Sequence, residues 1–225
     1  MFLEQNIKGI CSKYGVEFTD FLADFNVENC KELSLFDLEA ICEENEIDLH
    51  TIIFKPVFKQ ASWVTKLSKI KLLVLDVDGV LTDGGMYFSE GGDQIKKYNT
   101  KDGMAIIHLT KNNFQIAILS SGFTNNMVEQ RAKMLGIQKC YVGRDKKIDI
   151  LKSYCVELGI AFENVAIIGD DINDLDIIKN AGFSACPSDA MDVVKTNVDV
   201  ILNKKGGEGC VREFIDSYLL KEPLS

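Results

Sequence analysis

No stretch of eighteen or more uncharged apolar residues occurs in this 225-residue chain, which excludes a membrane-spanning helix of ordinary length. The opening residues MFLEQNIKG lack the basic segment and apolar run of a secretory signal, so a soluble, cytoplasmic protein without a membrane partner is expected. No C-x-x-C pair is present. The seven cysteines (Cys11, Cys30, Cys42, Cys140, Cys155, Cys186, Cys210) are scattered and odd in number, and they read as small buried hydrophobes in a reducing compartment. A basic field is also missing: 25 Lys plus Arg face 34 Asp plus Glu, for a net charge of −9 and a pI near 4.8. That balance argues against nucleic acid, because nothing releases counterions from a polyanion. A small anionic substrate held by a local site is still allowed.

Arginine is absent from the first 68 residues, where six Lys stand against twelve Asp plus Glu. Composition and patterning change near Trp63 to Lys71, which divides the chain into a small helical unit, 1–68, and a larger unit, 69–225. In the first unit Leu3, Ile7, Ile10, Cys11 and Tyr14 fall on one helical face. Ser34 precedes LFDLEAICEEN, with Asp37 placed for a capping box. The segment SLFDLEAICEENEIDLHTIIF resembles the last two helices of phage-repressor-type helix-turn-helix domains. Where a recognition helix should lie, however, NVENCKEL is short and acidic, which favours a packing or oligomerisation role over base reading.

From Lys69 onward apolar runs alternate with helical patterns. Strands are expected at 71–75, 115–119, 139–142, 165–168 and near Phe183 and Val200. Helices are expected at 102–111, 125–135, 147–158, 172–180, 189–195 and 208–220. Such alternation predicts an α/β fold, a Rossmann-like parallel sheet with helices on both faces. Ligands of such folds bind at the carboxyl ends of the strands.

Two of the expected strands run into carboxylates. KLLVLDVDGVLTDGG ends an apolar run in Asp76 and Asp78, and residues two apart on an extended chain point the same way. Two like charges that close repel, unless a cation sits between them. The plain alternative is a solvated strand end turning at Gly79. That alternative weakens at NVAIIGDDINDLDII, which repeats the design with Asp170, Asp171 and Asp174. If the two strands are neighbours, Asp76, Asp78 and Asp170 form an oxygen-rich shell suited to magnesium. Asp174 lies one helical turn past Asp170 and can orient ligands or metal-bound water. Asp171 and Asn173 read either as part of that surround or as caps of the following helix.

Between these motifs IAILSSGFTNN ends a third apolar strand in Ser120, Ser121 and Gly122, where a hydroxyl and backbone N–H groups can grip phosphate oxygens. An ordinary Ser/Gly turn is the competing reading. In GRDKKIDIL, Lys146 or Lys147 opens a helix and can neutralise a phosphoryl group, although a surface lysine is usually just solvated.

The order of these stations resembles the four motifs of the haloacid dehalogenase superfamily. The resemblance implies a magnesium-dependent phosphomonoesterase with Asp76 as nucleophile and Asp78 as acid/base. It also implies Ser121 and Lys147 as phosphate ligands and Asp170 as the third metal carboxylate. Only about twenty residues separate Asp83 from Asp102, too few for a separate cap domain of roughly 50 residues. MYFSEGGDQIKKYN reads instead as a flap hairpin turning around Glu90 to Asp93.

LTDGGMYFSEGGDQIKKYNTKDGMAI and GGEGCVREFID are similar to the cap-less branch containing 3-deoxy-manno-octulosonate 8-phosphate and nonulosonate 9-phosphate phosphatases. This implies a phosphorylated sugar acid as substrate, a place in lipopolysaccharide biosynthesis, and a homotetramer whose neighbours help close each site. It also implies Lys101, Asp102 and Arg212 as substrate-binding residues; for Arg212, an exposed helix position is the plain alternative. Phe123 departs from the branch, whose members carry Arg or an acid after the corresponding glycine. Two other readings are a non-catalytic assembly module of the kind fused to nucleotide-sugar synthetases, and a DNA-binding regulator. Retention of every candidate catalytic group opposes the first, and the acidic charge opposes the second. A phosphomutase would need a cap to exclude water, and no cap is encoded.

Overall fold

The computed structural model describes residues 2–54, 57, 61–90, 94–122 and 126–220. The expected flap turn from Gly91 to Asp93 and Phe123 lie outside the described residues. The chain divides into two compact units, Met1–Thr65 and Lys66–Ser225.

The first unit is helical, with α1 (Leu3–Tyr14), α2 (Phe18–Asp24), α3 (Leu35–Asn45) and α4 (Leu49–Phe54). Its apolar face is the one expected from α1: Ile7, Ile10 and Cys11 pack with Leu22, Leu38, Ile41 and Ile52. Tyr14, expected on that face, is exposed at the end of α1. At the start of α3 the Ser34 hydroxyl accepts from the Asp37 N–H, and the Asp37 carboxylate accepts from the Ser34 N–H, so the capping box is complete. A further helix, α5, spans Ala61–Leu67.

In the second unit the elements run β1 (Leu72–Leu75), β2 (Tyr87–Phe88), β3 (Gln94–Ile95), α6 (Thr100–Lys111), β4 (Gln115–Ser120) and α7 (Asn126–Met134). They continue with β5 (Lys139–Val142), α8 (Lys147–Leu158), β6 (Val165–Ile168), α9 (Leu175–Ile178), β7 (Phe183–Cys186), α10 (Asp192–Lys195), β8 (Val200–Ile201) and α11 (Cys210–Phe214). Six strands form one parallel sheet in the order β5-β4-β1-β6-β7-β8, the α/β fold expected from the sequence. All four residues of β1, and all four of β6, are buried, which explains why these strands read as unbroken apolar runs. Each such side chain contributes about 1.5–3 kcal/mol of transfer free energy on burial.

From β1 the chain moves outward through β4 to β5, then returns to β6 and moves the other way through β7 to β8. β1 and β6 are therefore neighbours at the point where the winding reverses, and a crevice opens beyond their carboxyl ends. The flap is a short antiparallel pair, β2 with β3. Three expected helices are shorter than predicted, and the one expected at 172–180 is a 3₁₀ turn, Ile172–Asp174, followed by α9. The one expected at 189–195 begins at Asp192, and the one expected at 208–220 is α11 followed by a π-helical turn, Ile215–Leu219.

Candidate active site

β1 and β6 pair in register, Leu75 beside Ile168, so the residues following each strand emerge side by side. The Asp76 N–H still donates to the Ile168 carbonyl, at 3.1 Å, and extends the ladder by one residue. Beyond it the chain leaves the strand in a tight turn, Val77–Leu81, with Gly79 at φ +91°. That conformation suits glycine, and a Cβ there would also collide with the Asp170 carboxylate. The glycine of the first motif thus makes room for the acid of the second.

Lys147, at the first position of α8, sends its Nζ into this junction. It lies 3.0 Å from Asp76 Oδ1 and 2.8 Å from Asp174 Oδ1, with all three side chains buried. Asp76 Oδ1 also accepts from the Val77 N–H at 2.7 Å. Asp174 is fully engaged, since its Oδ2 accepts from the Asp170 N–H at 3.1 Å. Asp170 Oδ1 is buried with no hydrogen-bond partner among the described residues.

Asp76, Asp170 and Asp174 each offer an oxygen within 4.8 Å of the others. With one ammonium against three carboxylates, the group is short of positive charge. Burial, then the neighbouring Asp174, push Asp76 well above the usual carboxylate range against the pull of Lys147. Burial, followed by Asp174 and Asp171, lifts Asp170 to about 7. Burial disfavours the Lys147 cation, but Asp76 and Asp174 outweigh it and its pKa is raised. An oxygen-only donor set, an orphaned buried acceptor and missing positive charge together fit a small hard divalent cation.

The expected metal shell of Asp76, Asp78 and Asp170 is not the one that converges. The strand ends at Leu75 and the turn begins at Val77, so the two-residue alternation of an extended chain does not carry through to Asp78. The Asp78 carboxylate instead pairs with Lys96, just beyond β3, and Asp174 takes its place in the acidic group.

A cavity of about 300 Å³ lies against this group, and Asp76, Asp78, Ser120, Ser121, Gly122, Met86, Phe88, Lys96, Arg144, Asp171 and Asn173 line it together with Val128. Ser121 Oγ accepts from Asn173 Nδ2 at 3.2 Å, whereas Ser120 is buried and its Oγ accepts from the Gly122 N–H at 3.3 Å. Lys146 is exposed and precedes α8, so of the two lysines left open by the sequence only Lys147 reaches the acidic group. Asp171 caps the turn after β6 through the Ile172 N–H and also lines the cavity.

Lys101, Asp102 and Arg212 are not among the residues lining the cavity of their own chain. Asp102 is buried and its Oδ1 accepts from the Arg212 N–H at 2.7 Å, with Gly209 and Val211 N–H groups also donating to it. It therefore holds the start of α11. Burial lifts its pKa to about 6 against the pull of those N–H groups. The Arg212 guanidinium pairs with Asp216 at 2.5 Å, and Lys101 is exposed on α6. Lys96, Arg144 and Asn173 are polar cavity residues to which the sequence assigned no phosphate-binding or catalytic part. Lys96 and Arg144 look like ordinary solvated cations in a linear reading, and only the strand pairing of the flap and the return of β5 bring them here.

Comparison with known proteins agrees with this geometry. Residues 143–215 match the haloacid dehalogenase-like hydrolase family. The 3-deoxy-D-manno-octulosonate 8-phosphate phosphatase of Salmonella typhi is 37% identical over 159 residues, which cover 71% of this chain and 84% of that protein. The chain belongs to the haloacid dehalogenase-like hydrolases. A second relative in the family, the phosphatase of the same name from Escherichia coli K12, is 36% identical over 162 residues, covering 72% of this chain and 86% of its own.

Among solved structures, the Moraxella catarrhalis octulosonate 8-phosphate phosphatase superposes with a TM-score of 0.68 at 33% identity, covering 72% of this chain and 92% of that one. It was solved with a magnesium ion, a phosphate ion and a KDO molecule. The Yersinia pestis phosphatase gives a TM-score of 0.69 at 32% identity, covering 74% of this chain and 89% of its own. In this family member no helix among the described residues is long and apolar enough to cross a membrane.

Proposed function

We propose that the chain is a magnesium-dependent phosphatase acting on a phosphate monoester of a 2-keto-3-deoxy sugar acid, of the 3-deoxy-D-manno-octulosonate 8-phosphate type. The observation that carries this reading is the buried Asp76–Lys147–Asp174 cluster beside the orphaned Asp170 oxygen, at the floor of a cavity without a cap domain.

Asp76 Oδ1 is held by Lys147 and the Val77 N–H, which leaves Oδ2 to attack phosphorus or to bind metal. The oxygens of Asp76 and Asp170 would hold a divalent cation, while Asp174, occupied at both oxygens, orients Lys147 and the Asp170 backbone. Magnesium bound there would supply Lewis acidity that lowers the repulsion between a phosphate dianion and an approaching carboxylate. Ser121, Gly122 and Lys147 bind the phosphoryl oxygens, and Asn173 fixes the Ser121 hydroxyl.

Asp76 forms a bond to phosphorus as the ester P–O bond breaks, giving an aspartyl phosphate. Asp78 gives its proton to the departing sugar oxygen. It later takes one from the water that opens the intermediate and returns the electron pair to Asp76. Residues 1–68, treated as one helical domain, serve assembly rather than chemistry, and the catalytic domain works as a homo-oligomer in the cytoplasm. Lys101, Asp102 and Arg212 then belong to the neighbour-facing side of that assembly.

A screen of sugar phosphates tests the reading, with octulosonate 8-phosphate, a nonulosonate 9-phosphate and neutral sugar phosphates assayed in magnesium and in chelator. Release of phosphate from the eight-carbon acid, abolished by chelator, is expected. Equal rates in chelator would remove the metal, and silence on every ester would remove the phosphatase.

A further inference from the structure

The flap carries a group that the reaction as described leaves without a part. Lys96 follows β3, and although it sits on the flap its side chain is only 5% exposed. Its ammonium pairs with Asp78 Oδ1 and lines the cavity. Among the described residues, Asp78 Oδ2 has no hydrogen-bond partner, and the Asp78 side chain is 35% exposed toward solvent.

The turn that bears Asp78 does not aim the side chain by itself. A carboxylate two bonds from the backbone has rotamer freedom, and among the described residues no N–H holds its oxygens, in contrast to Asp76 and Asp174. The cation from the flap is what fixes it.

The geometry points to Lys96 as the positioning residue of the acid/base: it holds Oδ1 of Asp78 so that Oδ2 is the oxygen presented to the leaving group and then to water. This rests on the phosphatase reading above. As the P–O bond breaks, the electron pair goes to the sugar oxygen, which takes the Oδ2 proton. The carboxylate left behind faces the Lys96 ammonium, so the charge that develops on Asp78 is met by a fixed opposite charge. When water attacks the aspartyl phosphate, Oδ2 takes a proton back and the Asp76–phosphorus bond breaks. No proton passes through Lys96.

A residue that acts through a proton donor matters most where the leaving group needs a proton. Alkyl alkoxides do, and p-nitrophenolate does not. The full chain and its Lys96→Ala, Lys96→Gln and Lys96→Arg variants are therefore compared on three esters in saturating magnesium: octulosonate 8-phosphate, arabinose 5-phosphate and p-nitrophenyl phosphate.

For Lys96→Ala, kcat/KM is expected to fall by roughly 30-fold or more on both sugar esters, within the range of general acid contributions, and by less than about threefold on the aryl ester. Lys96→Arg recovers most of the loss, and Lys96→Gln, which keeps a donor without the charge, recovers part of it. Equal losses on all three esters would make Lys96 merely structural and overturn the inference. A loss confined to the carboxylate-bearing ester would make it a ligand of the sugar acid, with the same consequence. Wild-type silence on all three removes the phosphatase reading itself, and this inference with it.

Discussion

The tips of β1 and β6 have the same design, an apolar strand delivering aspartates beside a glycine, yet the two ends are wired differently. At the β1 tip Asp76 is satisfied on one oxygen by an ammonium and an N–H, and Asp78 is tied to the flap. At the β6 tip Asp170 keeps a buried oxygen without a partner, while Asp174 has both oxygens occupied. A buried carboxylate with one oxygen held by both an ammonium and an N–H, and the other free, is equipped to attack. One buried with an orphaned acceptor waits for a cation, and one bound on both sides is scaffolding. Residue type and strand position therefore do not assign the roles; the partners do.

Removing the proposed nucleophile should have the largest effect. Asp76→Asn keeps the size and the accepting oxygen, so folding survives, while turnover should fall by roughly 10⁴-fold or more, as for nucleophiles that act as part of a unit. Phosphate release under saturating magnesium checks this, and residual activity within tenfold of wild type would break the distinction between the two tips.

Lys147→Ala attacks the shared counter-charge. Two buried carboxylates lose their partner, and stability should fall by about 3–5 kcal/mol, a drop in melting midpoint on the order of 10 °C. Thermal melts in chelator measure it without interference from metal.

The smallest effect distinguishes the β6 tip. Asp170→Asn removes an unpartnered charge, so the melt in chelator should hold or rise slightly, while the magnesium concentration for half-maximal activity should increase roughly 10- to 100-fold. A destabilisation as large as that of Lys147→Ala would show that Asp170 is structural after all.

The sheet was legible because β1, β4 and β6 are buried along nearly their whole length, and such strands have little choice but to be apolar. Asp76 and Asp170 stood out because apolar strands run into them, whereas Lys147 was separated from Lys146 by the resemblance alone. The Asp78 carboxylate, expected beside Asp76 and Asp170 because the alternation rule was extended past the residue where the strand stops, pairs with Lys96 instead. Lys96 and Arg144 were missed because nothing in a linear sequence distinguishes a lysine on a flap, or an arginine in a loop, from a solvated one. Asp102 and Arg212 were expected to bind substrate by resemblance alone; within one chain Asp102 anchors α11 and Arg212 pairs with Asp216.

The turn that follows Asp76 also has an order of completion. The Gly207 N–H and the Cys210 thiol both donate to the Val80 carbonyl, the latter across 130 residues of sequence, and Asn99 reaches the Gly207 carbonyl. A Cβ at Gly206 would strike the Gly79 carbonyl, so backbone lies directly on backbone there. A growing chain can therefore lay down β1, β4 and β6 and still lack a shaped turn after β1, because the brace of that turn follows all three strands in the chain.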